Sequence, residues 1–254
     1  MIIVLLYQMH TVTIPPNLLA ALTHNPYINK LYIFGSRAVF DDDQFSDIDL
    51  TAITDYPEVA EDYTRKTLEG QFGIIATYTI SQNNHEITRS FFPSGMSLFH
   101  KLDIGFSLPN QTKLFPNSAL LFNNNHAKQP DKKSVKTWTE SPRQHEYLDI
   151  LIGSLRYVKH RHRQEYWSAY KCYHGFIEQL AQARSAGRPA ENIYKGLDKQ
   201  HNDEIVGLFF SSDIRSKERT YYEFIRELVD EEQILPEFSD GVLRVWEEYL
   251  GASH

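Results

Sequence analysis

The hydrophobic pattern of this 254-residue chain changes near its middle, and that change limits the folds that the chain can adopt. Residues 28–108 alternate short apolar runs with turn residues, a pattern that is typical of β-strands packed with a helix. From residue 143 to about 185 there is no proline, and the apolar residues recur at a helical period. The sequence therefore predicts an α/β N-terminal domain followed by an all-α helical-bundle domain.

The bounds of the two domains follow from the polar residues between them. In the first domain the pattern predicts a helix over 58–72 and strands over 31–34, 47–53, 73–80, 102–108 and 119–122, the last at a sheet edge. Residues 123–140 are mostly polar and are expected to form a linker. Ser141 and Pro142 then have the composition of a helix N-terminus. We therefore expect domains over 1–122 and 141–254, with later helices near 198–211, 217–232 and 237–250.

The composition of the chain limits which molecules it can bind and where it can function. Acidic residues outnumber basic ones by 33 to 26, which gives a formal net charge of −7 at pH 7 and argues against nucleic acid as a partner. No apolar run approaches the roughly 18 residues that a membrane helix needs. Residues 2–7 are apolar but lack the basic flank of a secretion signal, and the single cysteine, Cys172, excludes an intrachain disulfide. We expect a cytoplasmic protein in which 2–7 form a strand or a packed N-terminal segment.

Two aspartates carry the strongest chemical signal in the sequence. Asp47 and Asp49 lie two residues apart on a predicted strand, so that both carboxylates project from one face. Adjacent carboxylates repel each other unless a cation lies between them. Mg²⁺ is the usual solution, since it is a hard ion that prefers oxygen ligands. A pair of such ions about 3.5–4 Å apart can clamp a phosphoryl transfer from both sides.

A glycine–serine turn precedes these aspartates. Gly35 and Ser36 directly follow a short apolar strand. Glycine lets the backbone approach a ligand closely, and the serine hydroxyl and nearby amides can bind phosphate oxygens. Arg37 adds a planar donor for phosphate. An isolated Asp-x-Asp pair at a turn is common, but this combination predicts a site for a triphosphate and a metal ion.

The segments 33–38, Ile-Phe-Gly-Ser-Arg-Ala, and 46–50, Ser-Asp-Ile-Asp-Leu, resemble the signature of the DNA polymerase beta-like nucleotidyltransferase superfamily. Within it, the chain looks most like the antibiotic nucleotidyltransferases of the aminoglycoside and lincosamide types. The resemblance implies a mixed-sheet nucleotidyltransferase domain ahead of the helical bundle. Family members often have a glycine a few residues after this turn, where this chain has Val39 and Phe40. That difference predicts an altered turn.

The family implies a third carboxylate on a neighbouring strand. Asp103 is the best candidate, because it lies in an apolar strand where an acid without a function would be costly. The preceding residues 91–95 resemble the hairpin ahead of the third acid in such enzymes. By this analogy Asp103 completes the metal site or accepts the proton of the acceptor hydroxyl as a general base. Glu86 is the alternative for the same role.

The resemblance also implies the reaction, an adenylyltransferase-like transfer from ATP or another nucleoside triphosphate. Two Mg²⁺ ions would be held by Asp47, Asp49 and Asp103. The nucleotide would be bound by Gly35, Ser36 and Arg37. An acceptor hydroxyl would attack the α-phosphorus and pyrophosphate would leave, with catalysis mostly by positioning and charge neutralisation. The expected acceptor is a small molecule such as an aminoglycoside-like antibiotic, and the expected role is antibiotic resistance.

The same residues are compatible with two other functions. The acceptor hydroxyl could belong to a partner protein, as in a protein-modifying or antitoxin-like nucleotidyltransferase. The chain could instead be a non-catalytic module that binds a nucleotide. Dimers are common among the resembling enzymes, so a homodimer is one assembly that the resemblance allows.

The helical domain closes over the acceptor in the resembling enzymes. There, Glu165 is the candidate to bind an acceptor amine or to act as the base, so Asp103 and Glu165 remain alternatives for the general base. A solvated glutamate is the simpler alternative. Three aromatic residues of the same stretch, Trp167, Tyr170 and Tyr173, are expected in the core. The acidic stretch 220–250 would attract a cationic acceptor, unless it is only a solvated face.

Overall fold

A six-stranded mixed sheet forms the centre of the first of the two units into which the chain divides. The computed structural model describes residues 14–124, 127–130, 138–184 and 213–251. The units are Met1–Ser141 and Pro142–His254. The α/β class predicted from the sequence is confirmed. The segments predicted at 2–7 and 198–211 lie outside the described residues.

The strand order and directions place the end of β1 beside the starts of β2 and β5. The strands are β1 (Lys30–Phe34), β2 (Ile48–Ile53), β3 (Ile74–Gln82), β4 (Glu86–Pro93), β5 (Leu102–Ser107) and β6 (Ala119–Asn123). Their order across the sheet is β3-β4-β5-β2-β1-β6, so β6 lies at an edge, as predicted. β2 and β5 run parallel, and the other neighbours run antiparallel. Helices α1 (Pro16–Thr23) and α2 (Pro57–Phe72) belong to the same unit.

The two faces of the central strands differ in polarity. In β2, Ile48, Leu50 and Ala52 are fully buried, while the residues between them are only partly buried. They pack in one cluster with Leu18 and Leu22 of α1 and other apolar residues of the sheet. Since side chains alternate along a strand, Asp49 points to the face opposite this cluster. Because apolar and polar residues alternate along β2, the Asp49 carboxylate lies on the face of the sheet that water can reach.

A buried ion pair lies between α2 and β4. Glu61 and Arg89 are both fully buried, with Arg89 Nε 3.6 Å from Glu61 Oε1. Burial raises the pKa of the Glu61 carboxyl, against the lowering effect of Arg89. Arg89 Nη2 also donates to the carbonyl oxygen of Trp138 at 2.8 Å, and Glu140 accepts from the backbone N–H of Thr79 at 2.8 Å. The described residues 138–140 of the expected linker are therefore bound to the sheet.

The second unit contains four described helices, α3 (Pro142–His162), α4 (Tyr166–Arg184), α5 (Ile214–Glu232) and α6 (Pro236–Gly251). A break at 163–165, where Gln164 has a φ of +58°, divides the helical region that the sequence predicted over 142–185. A fully buried glutamate, Glu218, accepts hydrogen bonds from the hydroxyls of Tyr157 and Tyr249 and from Arg161. Within the described ranges, no helix has the length and apolar character needed to cross a membrane.

Two of the aromatic residues expected in the core lie on the surface. Trp167 is 70% exposed and Tyr170 is 53% exposed, and their rings stack on each other. The expectation was therefore wrong for these two residues, because the first turns of α4 leave this side of the helix open. Tyr173 packs against the rings of Tyr157 and Tyr221, as a core residue would.

The turn after β1 contains a residue with an unusual backbone. Phe40 follows the Ser36–Ala38 turn by two residues and has a φ of +57°, in the left-handed region. Its side chain is 51% exposed. A side chain with a Cβ costs about 1–2 kcal/mol in this conformation. Phe40 therefore has a backbone conformation that glycine adopts more readily than residues with a Cβ.

We expect the Phe40→Gly variant to be about 1 kcal/mol more stable than the Phe40→Ala variant. Both variants lose the ring, so their difference isolates the strain that a Cβ causes at positive φ. At an ordinary φ the order would be reversed, since glycine there costs about 0.5–1 kcal/mol relative to alanine. Urea unfolding of the two variants measures the difference. An alanine variant as stable as the glycine variant would contradict the assigned backbone strain.

Candidate functional site

The candidate site lies at one edge of the sheet, where three strands end or begin. β1 is antiparallel to β2, and β2 is parallel to β5, so the end of β1 and the starts of β2 and β5 meet there. The register pairs Phe34 with Asp49, Asp49 with Asp103, and Asp103 with Ser90. Residues that are paired across neighbouring strands share a face of the sheet. The topology therefore aligns two of the predicted acids in one cross-strand row.

The predicted carboxylates converge. One oxygen from each of Asp47, Asp49 and Asp103 lies within 4.8 Å of the others, and all three side chains are half-buried. Asp47 precedes β2 directly, so it reaches the row from the loop. Carboxylate oxygens at this spacing match the ligand preference of a hard divalent cation such as Mg²⁺. The three residues form a group that could hold a metal ion.

A lysine that the sequence interpretation did not consider lies inside this group. Lys101 Nζ is 3.1 Å from Asp47 Oδ2 and is also bonded to Asp103 Oδ2. Lys101 is only 8% exposed. The other carboxylate oxygen of Asp103 accepts a hydrogen bond of 2.6 Å from the Ser90 hydroxyl. One signal was available in the sequence: Lys101 lies two residues before Asp103, at the spacing that places two side chains on one face of a strand.

Gly35 lies against the second aspartate. Its φ is +74°, a conformation that side chains with a Cβ rarely adopt. A Cβ at this position would also lie only 2.6 Å from Asp49 Oδ2. Glycine is therefore required here for two reasons, the turn and the close approach of the carboxylate. The short 3₁₀ turn Ser36–Ala38 follows, with Gly35 itself exposed.

The guanidinium of Arg37 is buried in the protein. Arg37 is 6% exposed. Its Nε donates to the carbonyl oxygen of Asp47 at 2.9 Å, and its Nη2 donates to that of Ser46 at 2.8 Å. A weaker ion pair of 3.4 Å joins it to Asp42. Arg37 thus connects the loop that carries Asp47 to the glycine–serine turn and positions that loop. The sequence had predicted a contact of Arg37 with phosphate, and it had not predicted this positioning role.

Glu86, the alternative third acid, lies away from the cluster. It pairs with Ser107, at the opposite end of β5 from Asp103. Its Oε1 accepts a hydrogen bond of 3.2 Å from the Thr88 hydroxyl. The carboxylate group contains Asp103 and not Glu86.

Glu165 belongs to the second unit. It lies in the break between α3 and α4, with a side chain that is 44% exposed. Its Oε2 is 2.5 Å from His160 Nδ1. Glu165 therefore has a histidine partner at the end of α3, which the sequence interpretation did not assign to it.

No protein-family model matches the chain, and no curated protein matches its sequence.

Proposed function

We propose that the protein is a Mg²⁺-dependent nucleotidyltransferase that moves a nucleoside monophosphate from ATP or another nucleoside triphosphate to a hydroxyl group. The observation that carries this proposal is the convergence of Asp47, Asp49 and Asp103 within 4.8 Å beside the exposed backbone of Gly35. A carboxylate cluster suits a divalent ion, and an open glycine turn suits a phosphate chain. The two features lie at the same edge of the sheet.

Each residue of the site has a defined task in this reaction. Asp47 and Asp49 hold Mg²⁺, and the backbone at Gly35 and Ser36 binds the triphosphate. Arg37 keeps Asp47 in place through the two carbonyl oxygens that it binds. When bound, Mg²⁺ neutralises the charge that develops on the phosphate oxygens.

The transfer itself is a displacement at the α-phosphorus. The acceptor oxygen forms a bond to the α-phosphorus, and the bond from that phosphorus to the bridging oxygen breaks. Pyrophosphate leaves with the electron pair. The proton of the acceptor hydroxyl goes to a carboxylate, for which Asp103 and Glu165 are the candidates, and Asp103 belongs to the carboxylate group of the site. Holding these groups in line accounts for most of the acceleration.

The acceptor that we propose is a cationic small molecule of the aminoglycoside type. Support comes from the surface of α5 and α6, which carries exposed acidic residues: Glu227, Asp230, Glu231, Glu237, Asp240, Glu247 and Glu248. The exposed basic residues of the same helices are Arg219, Arg226 and Arg244, so acids outnumber bases. An excess of one sign attracts ligands of the opposite sign. Resistance to such an antibiotic would be the biological result.

A transfer assay tests the proposal and separates its alternatives. Four nucleoside triphosphates labelled at the α-phosphate are incubated with Mg²⁺, the protein, and a panel of aminoglycoside and lincosamide acceptors. We expect the label on a small molecule and release of unlabelled pyrophosphate. Label on a polypeptide would instead indicate a protein-modifying enzyme. Nucleotide binding without release of pyrophosphate for any acceptor, polypeptides included, would indicate a non-catalytic module and contradict the proposal.

A further inference from the structure

Lys101 occupies the space between two of the three carboxylates. Its ammonium is 3.1 Å from Asp47 Oδ2 and contacts Asp103 Oδ2 as well. The ammonium is held at this position, because the residue is 8% exposed. Ser90 occupies the other oxygen of Asp103 with a hydrogen bond of 2.6 Å. Both oxygens of Asp103 therefore already have donors within the protein.

The charge of the cluster limits the number of ions that it attracts. Three carboxylates and one ammonium leave two net negative charges. One divalent ion neutralises them. A second divalent ion between Asp47 and Asp103 would have to displace the ammonium or lie in contact with it, and like charges at such a distance repel strongly at the low effective dielectric of a half-buried site.

We propose that Lys101 is a positioning residue that permanently fills one cation position of the cluster. The protein then binds a single divalent ion, through Asp47 and Asp49. Asp103 pairs with the lysine and with the Ser90 hydroxyl and does not bind the ion. This inference rests on the proposed function, and it replaces the sequence-based expectation of two ions by one ion and one ammonium group.

Titration of the metal-free protein with Mn²⁺, without nucleotide, tests the inference. Electron paramagnetic resonance measures the free ion and gives both the stoichiometry and the dissociation constant. We expect one ion per wild-type chain. In Lys101→Met the tightest dissociation constant should fall by roughly tenfold or more, because a repelling charge is lost and Asp103 becomes a ligand. Two ions bound to the wild type, or a gain below tenfold, would overturn the inference.

Two further variants separate the role of Lys101 from general effects of charge and folding. Lys66→Met removes the same charge from an exposed lysine that pairs with Asp62 on α2, and it should leave Mn²⁺ binding unchanged. The double variant Lys101→Met/Asp103→Asn should lose the gain in affinity, since the new ligand is gone. An unchanged gain in this double variant would contradict the inference. If Lys101→Met does not fold, Lys101→Gln serves as the second charge-free variant.

The same titration distinguishes failure of this inference from failure of the proposed function. Absence of Mn²⁺ binding in the wild type, with binding in Lys101→Met, would contradict the proposed function and the single ion inferred here, while Lys101 would still be the group that fills a cation position. Absence of binding in both proteins would overturn both.

Discussion

Replacing Asp47 by asparagine is expected to reduce nucleotidyl transfer at least about a thousandfold, which corresponds to roughly 4 kcal/mol of transition-state stabilisation. Asp47 is a ligand in the proposed site and also the partner of Lys101 at 3.1 Å. The substitution keeps the size of the side chain but removes its charge. The thermal midpoint should fall little, because one of three mutually repelling carboxylates is lost. Steady-state release of pyrophosphate and thermal unfolding measure the two effects.

Asp55→Asn is the matched control for this variant. Asp55 follows the opposite end of the same strand, is exposed, and accepts a hydrogen bond of 3.0 Å from the Asn29 side chain. The same chemical change there should leave turnover unaltered. Unchanged turnover in Asp47→Asn, or equal losses in both variants, would contradict the assignment of Asp47.

Replacing Arg89 by methionine is expected to destabilise the first unit by about 3–5 kcal/mol. The change leaves the fully buried Glu61 carboxylate without the guanidinium that lies 3.6 Å away. It also removes the hydrogen bonds to the carbonyl oxygen of Trp138 and to the side chain of Gln82. Arg65 Nε stays 4.0 Å from Glu61 Oε1, at the limit of an ion pair. A buried carboxylate that loses its nearer partner is still more costly than a lost surface pair. Denaturant unfolding at neutral pH measures the loss.

The loss should depend on pH. Burial already raises the pKa of Glu61, and Arg89 opposes that effect, so its removal raises this pKa further. A carboxyl whose pKa is higher in the folded state contributes stability at low pH and loses it as the pH rises through that pKa. The Arg89→Met variant should therefore be destabilised more at pH 8 than at pH 5. If the variant loses the same free energy of unfolding at pH 5 and at pH 8, the Glu61 carboxylate is not the cause of the loss.

A double variant provides the control for Arg89. Glu61→Leu in the Arg89→Met background removes both charges, and replacing a buried ion pair by apolar residues is often neutral or stabilising. Roughly half or more of the lost stability should return. Additive losses from the two substitutions would show that the pair itself is not the cause.

Local pattern was enough to predict β1, β2 and β5 and the pair Asp47 and Asp49, but it did not predict β4 (Glu86–Pro93). Apolar runs interrupted by glycine and aspartate placed β1, β2 and β5 to within about two residues, because alternation and turn residues are local signals. The i and i+2 spacing of Asp47 and Asp49 predicted one face for both. The convergence with Asp103 needed the resemblance, because the register of two strands that are distant in sequence is not a local property.

Residues that act through distant partners were not predictable in the same way. Lys101 and Arg37 both carry charges that look solvated or ligand-facing in the sequence, yet both are buried against the loop and strands of the site. Their partners are set by the tertiary fold. Trp167 shows the reverse error, since a large aromatic residue in a helical stretch gives no local sign of which side faces solvent.

The most direct test of the central claim is the dependence of ATP binding on Mg²⁺, measured by calorimetry on the wild-type protein. If Asp47 and Asp49 bind the ion that holds the triphosphate, ATP should bind with Mg²⁺ present, and its affinity should fall by at least about tenfold when EDTA removes the ion. Equal affinity with and without Mg²⁺, or no binding of any nucleoside triphosphate, would contradict the claim.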